Sequence, residues 1–283
     1  MSDNEALAQL LAKKFVQRKD VKAVQVGDGG YRPVRQGWKM KDLRDHVNGE
    51  LTYGHYLCDA EGLTKVIVFD IDLDKTGTWV QLPSDEELAE ITSDSEFMDK
   101  IFVHDAKPRE DWHNRRHPGR AWWKYQMRTL TDTLTSAVAQ QLELPTCAAY
   151  SGNKGCHVYA FFDEPTPAAM ARRAALFTLE LAGKMISPNG NFVAHKGASF
   201  YKHDEDDAYF GLQNFTVEIY PKQDSMDGKD LGNLVRLPLG KNMKNPKDPC
   251  FFIDQRVAQA NLQPHTNPVQ LLETGNPYAD DVQ

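Results

Sequence analysis

Residues 65–74 read K-V-I-V-F-D-I-D-L-D, four apolar or aromatic positions running into three acids at alternate places. Side chains on a strand alternate between faces, so Asp70, Asp72 and Asp74 fall on one side while Phe69, Ile71 and Leu73 fall on the other. Two ionised carboxylates about 7 Å apart repel by about 2 kcal/mol at an effective dielectric near 20, and a strand rich in Val and Ile is ordinarily buried. A balancing positive charge is required. A hard divalent cation, Mg²⁺ or Mn²⁺, meets that need with carboxylate oxygens as ligands and commonly bridges to a phosphate. The competing explanation is a strand whose acids mark its exit into a solvated turn.

With 283 residues, 41% of them hydrophobic, the chain can bury one large core or two smaller ones sharing a cleft. No apolar run approaches the 18 or so residues of a membrane span, and the first residues, M-S-D-N-E-A-L-A, lack the basic-then-apolar order of a signal peptide. The expectation is a cytoplasmic chain with no membrane partner. Cys58, Cys147, Cys156 and Cys250 are dispersed, with no C-x-x-C pair, which points to reduced thiols rather than to a disulfide framework or a zinc knuckle.

A net charge of -7 argues against a nucleic-acid partner until its distribution is considered. Residues 84–100 hold seven acids and one lysine, whereas 107–128 carry seven Lys/Arg against two acids and 234–247 carry four Lys/Arg and no acid. Arg115, Arg116, Arg120, Lys241 and Lys244 are the candidates for phosphate-backbone contact. Each charge run is also compatible with a merely solvated face.

Leu7, Leu10, Leu11 and Phe15 mark an amphipathic helix over 4–19, and a hairpin is expected from 21–26 and 31–35 around the Gly27-Asp28-Gly29-Gly30 turn. His46 and His55 could face a ligand or be satisfied core histidines. A polar insert follows over about 75–120, with a short helix expected at 85–91. Within it, His113 and His117 have the spacing of metal ligands, with His104 upstream, but Pro118 and Gly119 oppose a helix there, which weakens a zinc site. A long helix is expected to end near Leu144 at Pro145, and a second over 168–185, with Thr166 as its cap and Pro167 at its first position.

Residues 146–162, T-C-A-A-Y-S-G-N-K-G-C-H-V-Y-A-F-F, read as strand, glycine turn, strand. Two glycines allow backbone N–H groups to approach an anion, and Ser151, Lys154 and His157 surround the turn. A third strand over 215–223 carries one acid, Glu218, in an apolar run, where an unpaired carboxylate is costly. A short strand around L-V-R follows, and Lys222, Arg236 and Lys241 are candidates for neutralising a polyphosphate, arginine being suited to bidentate contact. An acidic run, D-E-D-D at 204–207, and a sequon at Asn214 lie in the loop between. From Gln263 the composition shifts to Pro, Asn and Gln without a packing pattern, as in a linker toward a helicase or other replication domain.

The succession F-D-I-D, S-G-N-K-G-C-H and V-E, flanked by H-V-N-G-E-L-T-Y-G-H-Y, E-I-Y-P-K-Q and G-N-L-V-R-L-P-L-G, resembles the archaeo-eukaryotic primase superfamily, the primase-polymerases, in the branch of phages, plasmids and defence loci. The resemblance covers roughly residues 15–242. It implies a mixed α/β fold of α+β type, an RRM-like catalytic sheet against an N-terminal α/β part. The core would span about 1–262, divided near residue 60, with 263–283 as a tail. It further implies that Asp70, Asp72 and Glu218 hold two Mg²⁺ or Mn²⁺ ions, that Ser151, Lys154 and His157 bind the triphosphate of an NTP or dNTP with help from Arg236 and Lys222, and that single-stranded DNA is the template. Asp74 is not required by the family pattern.

Two other assignments compete. D-K-T-G-T from Asp74 spells the phosphorylated-aspartate sequence of P-type ATPases, and D-L-D-K-T resembles the haloacid-dehalogenase pattern, with Asp74 as nucleophile. Against it stand the lack of a membrane segment, the polar W-V-Q after the second threonine and the lack of a late G-D-x-x-x-D. The other is a non-catalytic nucleic-acid-binding module with the same fold.

Overall fold

The computed structural model of the chain describes residues 2–73, 118–186, 197–200, 215–257 and 262–276, with backbone alone at 118–122, 125, 186 and 197–200. The described residues form two antiparallel sheets and five helices: α1 (Asp3–Phe15), α2 (Met40–Val47), α3 (Pro118–Leu142), α4 (Ala168–Ile186) and α5 (Pro268–Thr274). This is the mixed α/β class expected from the sequence. None of these helices is long and apolar enough to cross a membrane.

The smaller sheet takes β1 (Lys22–Gln25), β2 (Tyr31–Val34) and β3 (Tyr53–Tyr56) from the N-terminal part and β9 (Leu234–Arg236) from far along the chain, in the order β2-β1-β3-β9. The expected hairpin is present, with Ala23 opposite Pro33 and Val24 opposite Arg32. The larger sheet has the order β10-β5-β6-β4-β8-β7, from β4 (Leu63–Leu73), β5 (Thr146–Tyr150), β6 (Gly155–Pro167), β7 (Gly197–Phe200), β8 (Phe215–Tyr220) and β10 (Phe251–Phe252). Its centre is β4, the strand of alternating acids, hydrogen-bonded to β6 on one side and β8 on the other.

The alternation on β4 divides the core. Ile67, Phe69, Ile71 and Leu73 join Trp123, Met127, Leu130 and Leu134 of α3 and Ala171, Ala175 and Leu179 of α4 in one buried cluster. Val66 and Val68, on the other face, pack with Leu7, Leu11 and Phe15 of α1 and with Tyr159 and Phe161 of β6. Phe15 meets the rings of Tyr159 and Phe161 edge-on at 5.0 and 5.1 Å, a favourable geometry for aromatic pairs. Further along this face come Asp70 and Asp72, so apolar packing ends where the acids begin.

The structure departs from sequence expectation at several places. Residues 263–276, expected to lack packing, include α5, capped by the Asn267 side chain accepting from the Gln270 amide, with Leu271 and Leu272 buried against the α1 cluster. Proline at the start and glycine after the end delimit this short helix. Thr166 does not cap α4: β6 runs on to Pro167, and the Thr166 hydroxyl donates to the Glu164 carbonyl. Helix α1 stops at Phe15 rather than Lys19, where Val16 turns extended. The helix expected at 85–91, the acidic run at 204–207 and Asn214 lie outside the described residues.

Candidate active site

Strand register places the acids. Asp70 lies opposite His157 on β6 and opposite Glu218 on β8, while Asp72 lies opposite Gly155 and Thr216. Directly opposed residues of antiparallel strands share a face, so Asp70, Asp72, His157 and Glu218 form one polar patch across three strands.

Each acid is closed by one side chain of the set expected to bind triphosphate. His157 Nε2 lies 3.2 Å from Asp70 Oδ1, Lys154 Nζ 3.0 Å from Asp72 Oδ2, and Lys222 Nζ 2.9 Å from Glu218 Oε2. Among the described residues, no three His, Cys, Asp or Glu lie close enough together to hold an ion as placed. The donor chemistry nevertheless suits a divalent cation: three carboxylates on adjacent strands of one face, hard oxygen ligands throughout. The electrostatics agree. Burial and then the charge of Asp70 push the Asp72 carboxyl upward. Burial acts in the same sense on Asp70 but is more than offset by His157, through its charge and hydrogen bond, and by Lys154 and Lys222, which together hold it below the usual range. A closely spaced carboxylate pair of this kind is relieved by added positive charge.

Two tyrosines support the patch from positions that sequence reasoning overlooked. Tyr159 Oη lies 2.8 Å from His157 Nδ1, and Tyr220 Oη donates to Glu218 Oε2 at 2.9 Å. The ring of His157 thus spans from the Asp70 carboxylate at Nε2 to the Tyr159 hydroxyl at Nδ1. The Lys222 ammonium also sits 4.7 Å from the Tyr220 ring centre, a cation–π distance. The available signal was period two: H-V-Y and E-I-Y each set a tyrosine two residues after a polar site residue, on the same face of a strand.

The glycine turn abuts the acids. A Cβ at Gly155 would collide with Asp72 Oδ1 and the Ile71 carbonyl, so only glycine admits the carboxylate here. Lys154 also donates from Nζ to the Leu73 carbonyl at 3.2 Å, tying the turn to β4. Ser151 belongs to the turn, and its carbonyl accepts from Arg236 Nη2 at 2.8 Å. Arg236 is buried, donating through Nη1 to the Leu239 carbonyl at 3.1 Å and to Cys250 Sγ at 3.2 Å. Its guanidinium therefore braces the turn from behind.

Lys241 and Lys244 are exposed and lie on a loop beside the smaller sheet, the Lys241 stem near Gly49 and the Lys244 stem over Gly29. Arg115, Arg116, Asp74, His104, His113 and His117 are outside the described residues, as is the side chain of Arg120. His46 is a satisfied core residue, with Nε2 2.9 Å from the Pro238 carbonyl and Nδ1 accepting from the Tyr53 amide at 3.1 Å. His55 is fully buried against Phe15, its rings 5.7 Å apart. Neither of its nitrogens forms a well-aligned hydrogen bond, although the Phe15 carbonyl favours its charged form. Cys58, Cys147 and Cys156 are buried free thiols and Cys250 is half-buried.

Comparison with known proteins places these elements in a wider group. The family model of the archaeo-eukaryotic primase domain of TOTE conflict systems matches residues 6–191 and 201–275, which include the β4 acids, the glycine turn, Glu218 and β9. Among solved structures, the polymerase domain from Mycobacterium tuberculosis Ligase D in complex with DNA is similar at 13% identity and a TM-score of 0.43, over 97% of this chain and 88% of that one. No curated protein matches.

Proposed function

The chain belongs to the archaeo-eukaryotic primase domain family of TOTE conflict systems, and from that premise we propose that it is a template-dependent nucleotidyltransferase, a primase-polymerase adding NTP or dNTP units to a 3′-hydroxyl or starting a strand on single-stranded DNA. The observation that carries this reading is the shared register of Asp70 with His157 and Glu218 across three strands. It sets two carboxylates and an imidazole side by side on one face.

Asp70, Asp72 and Glu218 would hold the two divalent cations, Mg²⁺ or Mn²⁺. When bound, these supply activation of the attacking hydroxyl and charge stabilisation of the departing pyrophosphate. The protein's own residues do the placing. Lys154, His157 and Lys222, now paired with the acids, exchange them for phosphate oxygens as nucleotide enters. Ser151 and the backbone N–H groups of the turn receive the triphosphate, and Gly155 keeps the turn against Asp72. Arg236 holds the turn in position. Lys241 and Lys244, with Arg115, Arg116 and Arg120, contact the template backbone.

Extension of a labelled primer on single-stranded template, with NTPs and dNTPs supplied separately in Mg²⁺ and in Mn²⁺, tests this. Asp70→Ala and Asp72→Ala should abolish addition with an unchanged melting point, and His157→Ala should raise the nucleotide concentration required without weakening template binding. Normal extension by either aspartate variant would overturn the assignment.

A further inference from the structure

The turn at 151–155 has a consistent polarity. The Ser151 carbonyl accepts from Arg236 Nη2 at 2.8 Å and from Asn242 Nδ2 at 3.0 Å. The Asn153 carbonyl accepts from Tyr150 Oη at 2.8 Å, and the Lys154 carbonyl from Trp123 Nε1 and the Leu73 amide, both at 3.4 Å. The Gly155 carbonyl accepts from the Ser151 amide at 2.9 Å. Four of the five carbonyls, those of Ser151, Asn153, Lys154 and Gly155, are thus engaged by donors of the protein. The N–H groups of Gly152, Asn153 and Lys154 find no backbone acceptor among the described residues, the polarity an anion-binding concavity requires.

Asn242 is the member of this arrangement that no sequence signature marks. It is buried at 7% exposure, in the loop carrying Lys241 and Lys244. Its Oδ1 accepts the Lys244 amide at 3.1 Å, fixing the side chain so that Nδ2 must face Ser151. On either side the loop is tied to the smaller sheet: the Met243 amide donates to Gln25 Oε1 at 2.9 Å, and the Thr52 hydroxyl to the Lys241 carbonyl. Contact with the turn is close enough that a Cβ at Gly152 would lie 2.6 Å from Cys250 Sγ and 3.4 Å from Asn242 Cβ.

We propose that Asn242 is a positioning residue for nucleotide binding: with Arg236 it occupies both lone pairs of the Ser151 carbonyl and so keeps the turn's N–H groups directed at the incoming triphosphate. The proposal rests on the nucleotidyltransferase reading of the site. Removing one donor from a buried carbonyl typically weakens a dependent state about fivefold. A carboxylate in the same place would repel the carbonyl oxygen and act more strongly.

The test uses the full chain and a non-hydrolysable dNTP analogue with Mn²⁺ and primed template, measured by calorimetry alongside template affinity and melting point, with steady-state extension in parallel. Asn242→Ala should weaken analogue binding about fivefold and Asn242→Asp more, with nucleotide KM rising in proportion, kcat nearly constant and template affinity unchanged. Wild-type affinity for the analogue in Asn242→Ala would overturn the proposal, as would parallel loss of analogue and template binding, which marks general destabilisation. A wild-type chain that binds no analogue would overturn the reading of the site itself, and this proposal with it.

Discussion

Asp72 and Gly155 face each other across β4 and β6, and the carboxylate occupies the space a glycine side chain leaves open. The glycine turn and the acid patch are therefore one unit. A methyl group at 155 would meet Asp72 Oδ1 and the Ile71 carbonyl together, and a backbone carbonyl cannot move aside as a flexible side chain can.

Gly155→Ala is accordingly expected to destabilise the fold by about 2 kcal/mol or more, in the range of core overpacking, and to eliminate nucleotide addition even where the fold survives. Chemical denaturation and primer extension on the same preparation check both parts. Gly228, a glycine that a Cβ would leave without contacts within 4 Å but at a φ of +67°, is the control: Gly228→Ala should cost only backbone strain, about 1 kcal/mol, and leave addition intact.

The pairing of acids with Lys154 and Lys222 has a thermodynamic consequence. A cation entering alone must displace these ammonium groups, whereas a cation entering with nucleotide gives them phosphates to bind. Lys154→Met and Lys222→Met should each tighten Mn²⁺ binding in the absence of nucleotide and weaken nucleotide binding in its presence. Calorimetric Mn²⁺ titrations with and without a non-hydrolysable dNTP measure the exchange; an unaltered or weakened Mn²⁺ affinity in both nucleotide-free variants would contradict it.

Burial holds His46 and His55 neutral, each with a pKa pushed down to about 4. The unfolded chain, with histidines near 6.5, binds more protons between pH 4 and 6.5, so this contribution to stability is complete above 6.5 and is lost as pH falls toward 4. At pH 5 the loss is about 2 kcal/mol per histidine. His55, with no well-aligned partner to forfeit, is the clean probe: the difference in unfolding free energy between pH 7.5 and 5 should shrink by about 2 kcal/mol in His55→Leu. An undiminished difference would contradict the burial argument.

Much of this site is legible in the amino-acid sequence. The alternation of Asp70 and Asp72 with Phe69 and Ile71 determines which face is buried, and two glycines around Asn153 and Lys154 mark the turn. Both signals are local, set by strand periodicity and backbone conformation. The rest depends on contacts between distant segments. Nothing near Arg236 shows that β9 would pair with β3, with Gly54 opposite Arg236, and so direct the guanidinium to the Ser151 carbonyl rather than outward. Asn242 lies in a loop without periodicity, and its importance depends on which carbonyl it meets. Leu271 and Leu272 form an adjacent pair too short to show a helical stripe, and only the waiting surface of α1 gives them a core.

Whether Asp70, Asp72 and Glu218 act as one cation-binding face is decided by a count of bound Mn²⁺, from electron paramagnetic resonance of the free ion, in the presence of a non-hydrolysable dNTP. The wild-type chain should bind about two ions, and Asp70→Asn, Asp72→Asn and Glu218→Gln should each lose at least one while retaining the wild-type melting point within a few degrees. Unchanged stoichiometry and affinity in all three folded variants would show that the cations are held elsewhere, and would contradict the assignment of these three acids.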